Sequence, residues 1–311
     1  MFITGIGTAV PPARYQQREC CEALQRSGPF AELTTRSQAI LKKVLLGNNG
    51  IATRHLALET LDEVFNLHPD TLHARFAKHA PRLAAEAARR ALAAAQRSPA
   101  DIDAIIVSTC TGYLCPGLTS YVIEELGLPG TTFALDLVGQ GCGAALPNLR
   151  TGEALLASGR HEQVLSICVE VCSAAFYLDN DPGVLISACL FGDGAGAAVL
   201  SKTPGSRRVE WIASDSIVAP ADRDLLRFET RSGLLRNILS PQVPQIAAGH
   251  AAAVLDATLE TAGHRKEEIV SWIFHAGGRD VLIALQQKLE LPEESFCWSA
   301  RVLHDYGNLS S

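Results

Sequence analysis

The sequence lacks the features that would place it in several broad classes. It has no excess of basic charge: 27 Lys and Arg stand against 33 Asp and Glu, a formal net charge of −6. A general nucleic-acid binder needs a positive footprint against phosphate, so that class is set aside. There is no CxxC pair, and the nine cysteines are an odd number. Cys110, Cys168, Cys172 and Cys189 sit inside apolar runs. That pattern argues against a disulfide framework or a zinc site and points to reduced thiols in the cytoplasm. No run of about eighteen uninterrupted apolar residues occurs, so no membrane-spanning helix is expected. Met1-Phe2-Ile3-Thr4-Gly5 has neither the basic region nor the apolar core of a signal peptide. Low-complexity segments and short repeats are absent. What remains is a globular mix, 47% hydrophobic and 19% charged, over 311 residues. That length supports one large domain or two.

The hydrophobic pattern alternates. Apolar strands are expected at residues 2–10, 104–110, 132–138, 163–171 and 195–201. Helices are expected at 19–26, 35–46, 80–95, 120–126 and 184–191. Continuous apolar strands alternating with helices imply a sheet covered on both faces, an α/β fold. Thr203-Pro204-Gly205-Ser206 reads as a boundary, dividing the chain into halves 1–203 and 204–311. The second half is expected to repeat the order, with strands at 209–218 and 268–274 and helices at 241–261, 279–289 and 294–304.

Three polar clusters carry candidate chemistry. The first is Gly139-Gln140-Gly141-Cys142-Gly143, between the expected buried strand 132–138 and a helix ending near Gly159. A thiol at a helix N-terminus is favoured as thiolate, and the flanking glycines leave room for a substrate. The alternative is a small buried thiol, the commoner state of free cysteine. The second cluster is His275-Ala276-Gly277-Gly278, a histidine at a strand end; the alternative is a hydrogen-bonded structural histidine. The third is Gly307-Asn308-Leu309-Ser310-Ser311, which also reads as a turn with Ser310 or Ser311 capping a helix. Together they offer a nucleophile, an imidazole and an amide donor, the parts of an activated thiol and an oxyanion site.

Four blocks in this order make the chain resemble the type III polyketide synthases of the chalcone/stilbene synthase family, within the thiolase-like superfamily. They are GQGCGAALPNL, LFGDGAGAAVL at residues 190–200, HAGG and GNLSS. Weaker support comes from Glu170-Val171-Cys172-Ser173, TGYLCPGL and Gly50-Ile51-Ala52-Thr53-Arg54-His55. The resemblance implies a layered α-β-α-β-α fold with two pseudo-repeated halves. It also implies decarboxylative condensation of a starter acyl-CoA with malonyl-CoA, with no metal or redox cofactor. Cys142 would accept the acyl group, and His275 and Asn308 would stabilise the carbanion and the thioester oxyanion. Phe191 would be a gatekeeping aromatic, and Cys110, Thr111 and Ala175 would line the reaction cavity. Ordinary strand-end packing is the alternative for those three. A homodimer is implied, with the loop holding Cys115 reaching the partner's cavity.

The departures are specific. Ala276 stands where the family has proline. Arg236 falls where a second aromatic gatekeeper is expected, implying a more polar cavity mouth or a contact with CoA. Lys42, Lys43 and Arg54 are the candidates for CoA phosphates, with solvated surface charge as the alternative. The family continues past Gly-Asn-x-Ser-Ser, so the second half is expected to be truncated, and the polypeptide as written to be poorly stable or inactive. Other readings are a ketoacyl-carrier-protein synthase of the third type, against which HAGG argues, and a non-catalytic dimer partner. A papain-like hydrolase and a thiolase proper fit less well, the latter for want of a second cysteine after Cys297.

Overall fold

The computed structural model describes residues 1–311. In chain order the elements are β1 (Phe2–Ala9), β2 (Arg14–Gln16), α1 (Gln17–Arg26), α2 (Gly28–Ala31), α3 (Thr35–Leu46), β3 (Thr53–His55) and α4 (Pro69–Ala95). Then come β4 (Ala104–Thr109), α5 (Leu118–Leu126), β5 (Phe133–Val138), α6 (Ala145–Ala157), β6 (Gln163–Glu170), α7 (Pro182–Leu190) and β7 (Gly194–Ser201). The remainder is β8 (Val209–Glu210), β9 (Leu226–Arg231), β10 (Leu234–Leu239), α8 (Val243–Ala262), α9 (Arg279–Leu289) and α10 (Cys297–Tyr306).

Six strands form one mixed sheet in the order β5-β4-β6-β7-β1-β8. β4 runs parallel to β5 and to β6, whereas β7 is antiparallel to β6 and β1. The central strands are apolar on both faces because both are covered: Ile105, Ile106, Val107, Leu165 and Ile167 are fully buried. One face is covered by α4, whose Ala80, Ala84, Ala87, Ala88 and Ala91 are fully buried. Small residues on both sides let helix and strand approach closely. A Cβ on Gly7 would lie 2.2 Å from the Ala87 carbonyl oxygen. The opposite face is covered by α6, locked by a buried side chain. Asn148 Nδ2 donates to Ser108 Oγ (2.8 Å) and the Ile167 carbonyl (2.9 Å), and its Oδ1 accepts from Ser166 Oγ (2.8 Å). This clamp fixes the helix that follows Cys142 against the two central strands.

Three expectations are corrected. The strand before Cys142 is not buried: β5 pairs only with β4 and is a sheet edge, with Phe133 43% and Val138 45% exposed. In residues 209–218 only Val209–Glu210 forms a strand, against β1. Residues 268–274 form no strand, and Val270 and Ile273 are exposed. An apolar alternation suits a strand but becomes one only with a backbone partner, and these two stretches have none beyond β8. Conversely, the β9–β10 hairpin was not expected. Its turn, Ser232-Gly233, has φ of 53° and 79°, the two positive values that a tight two-residue hairpin requires.

Candidate active site

The site is assembled where two distant segments cross. The chain after α10 lies beside the C-terminal end of α7, with Phe191 and Asn308 forming an isolated parallel bridge. Asn308 N donates to the Leu190 carbonyl (2.9 Å), and Gly192 N donates to the Asn308 carbonyl (2.9 Å). Gly307 makes the approach possible, since a Cβ there would lie 2.5 Å from the Leu190 carbonyl oxygen. Arg54 secures the other side, donating through Nη1 to the carbonyls of Ala188 and Phe191 (both 3.0 Å).

From this crossing a chain of hydrogen bonds reaches the thiols. Asn308 Nδ2 donates to the Gly277 carbonyl (3.0 Å), tying it to the loop that carries His275. Asn308 Oδ1 accepts from Ser310 N (2.8 Å). Ser310 holds a left-handed backbone, φ 63°, a conformation non-glycine residues adopt at a cost. Its Oγ lies 3.2 Å from Cys110 Sγ and 3.5 Å from Cys142 Sγ. The structure thus joins Cys142, Asn308 and the His275 loop through Ser310, a residue the sequence offered only as a helix cap. Between the His275 ring and Cys142 there is no direct hydrogen bond.

Beneath the thiols lies Glu170, fully buried at the end of β6. It accepts from Thr109 Oγ1, Cys110 N, Thr111 N, Thr111 Oγ1 and Ser311 Oγ at 2.7–3.1 Å. A buried carboxylate is tolerated only with such partners. Burial pushes its carboxyl above the usual range, against the pull of these donors. A lone Glu closing an apolar strand was the sequence signal for it. The FGDG carboxylate, Asp193, is equally buried and accepts from Ala57 N, Ser173 N and Ser173 Oγ at 2.6–2.8 Å. It holds the Cys172–Ala175 turn in place.

The electrostatics reverse one expectation. Cys142 sits on a single 3-10 turn, Gly141–Gly143, and α6 begins only at Ala145. Its thiol is pushed up, first by burial and then by Glu170, with Ser310 pulling the other way. A lowered pKa from a helix N-terminus is therefore not what this environment gives. Burial also pushes up Cys110, with Glu170 adding to it. His275 moves downward, from 6.5 to about 4, through desolvation alone. The residue is nevertheless exposed, and water at an exposed ring offsets much of that desolvation. A shift downward from 6.5 leaves the ring neutral at pH 7, and that direction is what the chemistry uses.

Phe191, Thr111, Ala175, Arg54 and Ser310 line one apolar cavity, which Phe228 also lines. Cys110 and Thr111 line a second, with Tyr113, Val138 and Gly233, so the two cavities share Thr111. The remaining candidates lie elsewhere. Arg236 is 9% exposed and held by Asp179 (2.7 Å), Glu229 (3.0 Å) and Asp181 (3.4 Å). Its charge is spent on these carboxylates, so neither a polar cavity mouth nor a CoA contact follows from it. Arg54 is likewise buried and committed to carbonyls, not presented to a phosphate. Lys42 and Lys43 are exposed on α3, with Lys42 Nζ 5.6 Å from the Phe30 ring centre. Cys115 is exposed in the loop before α5.

Comparison with known proteins agrees with this architecture. Residues 11–218 match the family model for FAE1/type III polyketide synthase-like proteins, and residues 213–311 match the C-terminal domain of chalcone and stilbene synthases. The chain is 31% identical to the 3,5-dihydroxyphenylacetyl-CoA synthase of Streptomyces toyocaensis, over 99% of this chain and 79% of that one. It is 29% identical to the 1,3,6,8-tetrahydroxynaphthalene synthase of Streptomyces peucetius subsp. caesius, over 99% of this chain and 82% of that one. The crystal structure of PKS-I from the brown alga Ectocarpus siliculosus superposes with a TM-score of 0.88 at 25% identity, covering 100% of this chain and 86% of that one. With the Cys142 segment, the FGDG block and the Asn308 segment meeting at one point of a thiolase-like fold, the chain belongs to the FAE1/type III polyketide synthase-like family.

Proposed function

We propose that this protein is an acyltransferase that condenses a starter acyl-CoA with malonyl-CoA to make a small polyketide, through a thioester on Cys142. The observation that carries the reading is the hydrogen-bonded path Cys142–Ser310–Asn308–Gly277. It links the thiol, the amide and the histidine loop in a member of this family.

The chemistry follows from the protonation states. Cys142 is a thiol at pH 7 and His275 a neutral imidazole, so the ring is free to take the thiol proton as sulfur attacks the acyl-CoA carbonyl. The departing CoA thiolate takes that proton, leaving acyl-Cys142 and free CoA. Malonyl-CoA then loses CO2, and the electron pair of the broken bond forms a thioester enolate. An imidazole N–H from His275 and an amide N–H from Asn308 stabilise that oxyanion. Asn308 Nδ2 carries two N–H groups and gives only one to Gly277, so one is available. The enolate carbon attacks the Cys142 thioester, the carbon–sulfur bond breaks with its electron pair returning to the sulfur, which takes a proton from water, and the chain, longer by two carbons, leaves on CoA. Cys110, Thr111, Ala175 and Phe191 bound the space in which the chain is held. Lys42 and Lys43, free of carboxylate partners, are the candidates for CoA phosphates. In this reading the half up to residue 203 brings the nucleophile, and the half from 204 brings His275 and Asn308.

A homodimer built on β5 is part of the proposal. An unpaired edge strand with exposed apolar side chains is a template for pairing with a second copy. Nine unpaired thiols support a reducing, cytoplasmic setting. No helix is long and apolar enough to cross a membrane.

The test is intact-protein mass spectrometry after mixing with a panel of acyl-CoAs. An acyl adduct on the wild type, absent from Cys142→Ala, is expected. A folded wild type that takes no acyl group from any donor overturns the proposal.

A further inference from the structure

The crossing that holds Asn308 rests on the end of α7. The last four carbonyls of a helix have no partner within it and must find one outside. In α7 three of the four are met from far away in the chain. Phe191 N donates to the Ser187 carbonyl (3.4 Å), Arg54 Nη1 to Ala188 (3.0 Å), Gln17 Nε2 to Cys189 (2.9 Å) and Asn308 N to Leu190 (2.9 Å). Asn308 is therefore seated on one of four adjacent carbonyls, and its place depends on the other three being held.

Arg54 does the largest part of that holding. Its Nη1 also donates to the Phe191 carbonyl (3.0 Å), so one nitrogen bridges the last turn of α7 and the residue after it. The helix dipole favours a cation at this end. The side chain is 5% exposed, and its Nη1 is held by carbonyl oxygens alone. Its Nε has no acceptor. Burying a cation on such terms costs stability that an apolar side chain of similar length would keep. What the arginine supplies is a fixed place for the end of α7.

The same segment ties down the other side of the crossing. Thr53 Oγ1, on β3, donates to the Asp305 carbonyl (2.7 Å), and Ala52 N, just before β3, donates to the His304 carbonyl (2.8 Å). Both carbonyls belong to the last turn of α10. The His55 carbonyl accepts from Asp193 N (2.8 Å), just after α7. The aliphatic stem of Arg54 lies against Gly307, where a Cβ would meet Cγ at 3.1 Å and Cδ at 3.4 Å. Residues 52–55 thus clasp the ends of α7 and α10 together, with Arg54 reaching both.

We infer that Arg54 is a positioning residue for condensation: by capping α7 it fixes the Leu190 carbonyl, and through it the Asn308 amide that faces the enolate. This rests on the acyltransferase reading above and adds a residue that acts on its second step and not on its first. Cys142 and His275 stand on other segments, so loading does not depend on the clasp.

The experiment compares two rates in the full chain, with acetyl- and hexanoyl-CoA as donors. One is acyl-Cys142 formation, read by intact-protein mass spectrometry; the other is single-turnover product formation from preloaded enzyme and malonyl-CoA. In Arg54→Met the Ala188 and Phe191 carbonyls lose their donor. Condensation in the folded fraction is expected to fall about 10- to 100-fold while loading stays within about threefold, since misplacing the amide slows only the step that uses it. Arg54→Lys, which keeps a positive donor at the end of α7, should recover about threefold or more of that loss. Arg54→Gln gives the same comparison should the methionine variant not fold. The KM for malonyl-CoA should stay within about twofold, because Arg54 holds carbonyls and not the CoA phosphates. A folded Arg54→Met protein that condenses at the wild-type rate, or whose loading falls as far as its condensation, overturns the proposal. A loss in Arg54→Lys equal to that in Arg54→Met, or a rise in KM with kcat unchanged, overturns it too. A wild type that takes no acyl group from any donor removes the underlying function instead.

Discussion

Gly307→Ala tests whether the crossing of α7 with the segment after α10 is what holds Asn308. Gly307 has φ 76° and ψ −163°, backbone that an L-residue adopts only under strain. Such strain costs about 1–3 kcal/mol. The new methyl would also lie 2.5 Å from the Leu190 carbonyl oxygen, whereas real Cβ contacts are at least 3.0 Å, so the two segments must part by about 0.5 Å. The bonds from Asn308 N to Leu190 O and from Gly192 N to Asn308 O, now 2.9 Å, would stretch to about 3.4 Å. A backbone hydrogen bond contributes about 1 kcal/mol net, so their weakening with the strain gives a loss of about 2–4 kcal/mol. Chemical denaturation reads that loss. The functional consequence is separable. Cys142 stands on another segment, so acyl loading should persist in the folded fraction. In the proposed mechanism condensation needs the Asn308 amide at the enolate, and a misplacement approaching 1 Å can cost about 100-fold in rate. Single-turnover product formation from preloaded enzyme is therefore expected to fall about 10- to 100-fold. A folded Gly307→Ala protein that condenses at the wild-type rate would refute the argument that this contact positions Asn308.

Three further outcomes follow from particular contacts. Asn148→Leu strips partners from Ser108, Ser166 and the Ile167 carbonyl beneath α6; urea denaturation should show a loss of about 3 kcal/mol, since each buried group left unpaired costs about 1–3 kcal/mol. His275 is depressed from 6.5 to about 4, so the unfolded chain binds more protons between these values. Stability should then fall as pH drops below 6.5 and be regained above it, and the acid limb of loading assigned to this ring should lie below 6.5; a limb at or above 6.5 that disappears in His275→Gln would contradict the neutral-ring mechanism. Arg236→Met leaves Asp179, Asp181 and Glu229 facing one another; a loss of about 2 kcal/mol is expected, below the 3–5 kcal/mol of a fully buried pair because the carboxylates are partly solvated. Its KM for malonyl-CoA should stay within about twofold, and a large rise would restore Arg236 as a CoA contact.

Local pattern alone determined a good deal of this protein. The apolar runs at 104–110 and 163–171 are strands because their residues face packed helices on both sides, and α3 and α9 occupy the very residues that the helical period marked. The four motif blocks were legible because each is held by a constraint that only certain residues satisfy. Gly307 is one case, where any side chain would strike Leu190; Asp193 is another, where a buried carboxylate must find three donors. The family could be read from them for that reason. Tertiary structure decided everything that depends on a partner distant in the chain. Residues 268–274 have the composition of a strand and form none, because strand is a property of a pair. Arg236 reads as a free cation and is neutralised by carboxylates up to 57 residues away. The turn at Cys142 suggests a lowered thiol pKa, but burial and Glu170, at the end of β6, raise it. Ser310 looks like a helix cap and instead sits between two thiols 168 and 200 residues distant. Side-chain chemistry is written in the sequence, whereas the dielectric and the charges around each side chain exist only once the chain has closed on itself.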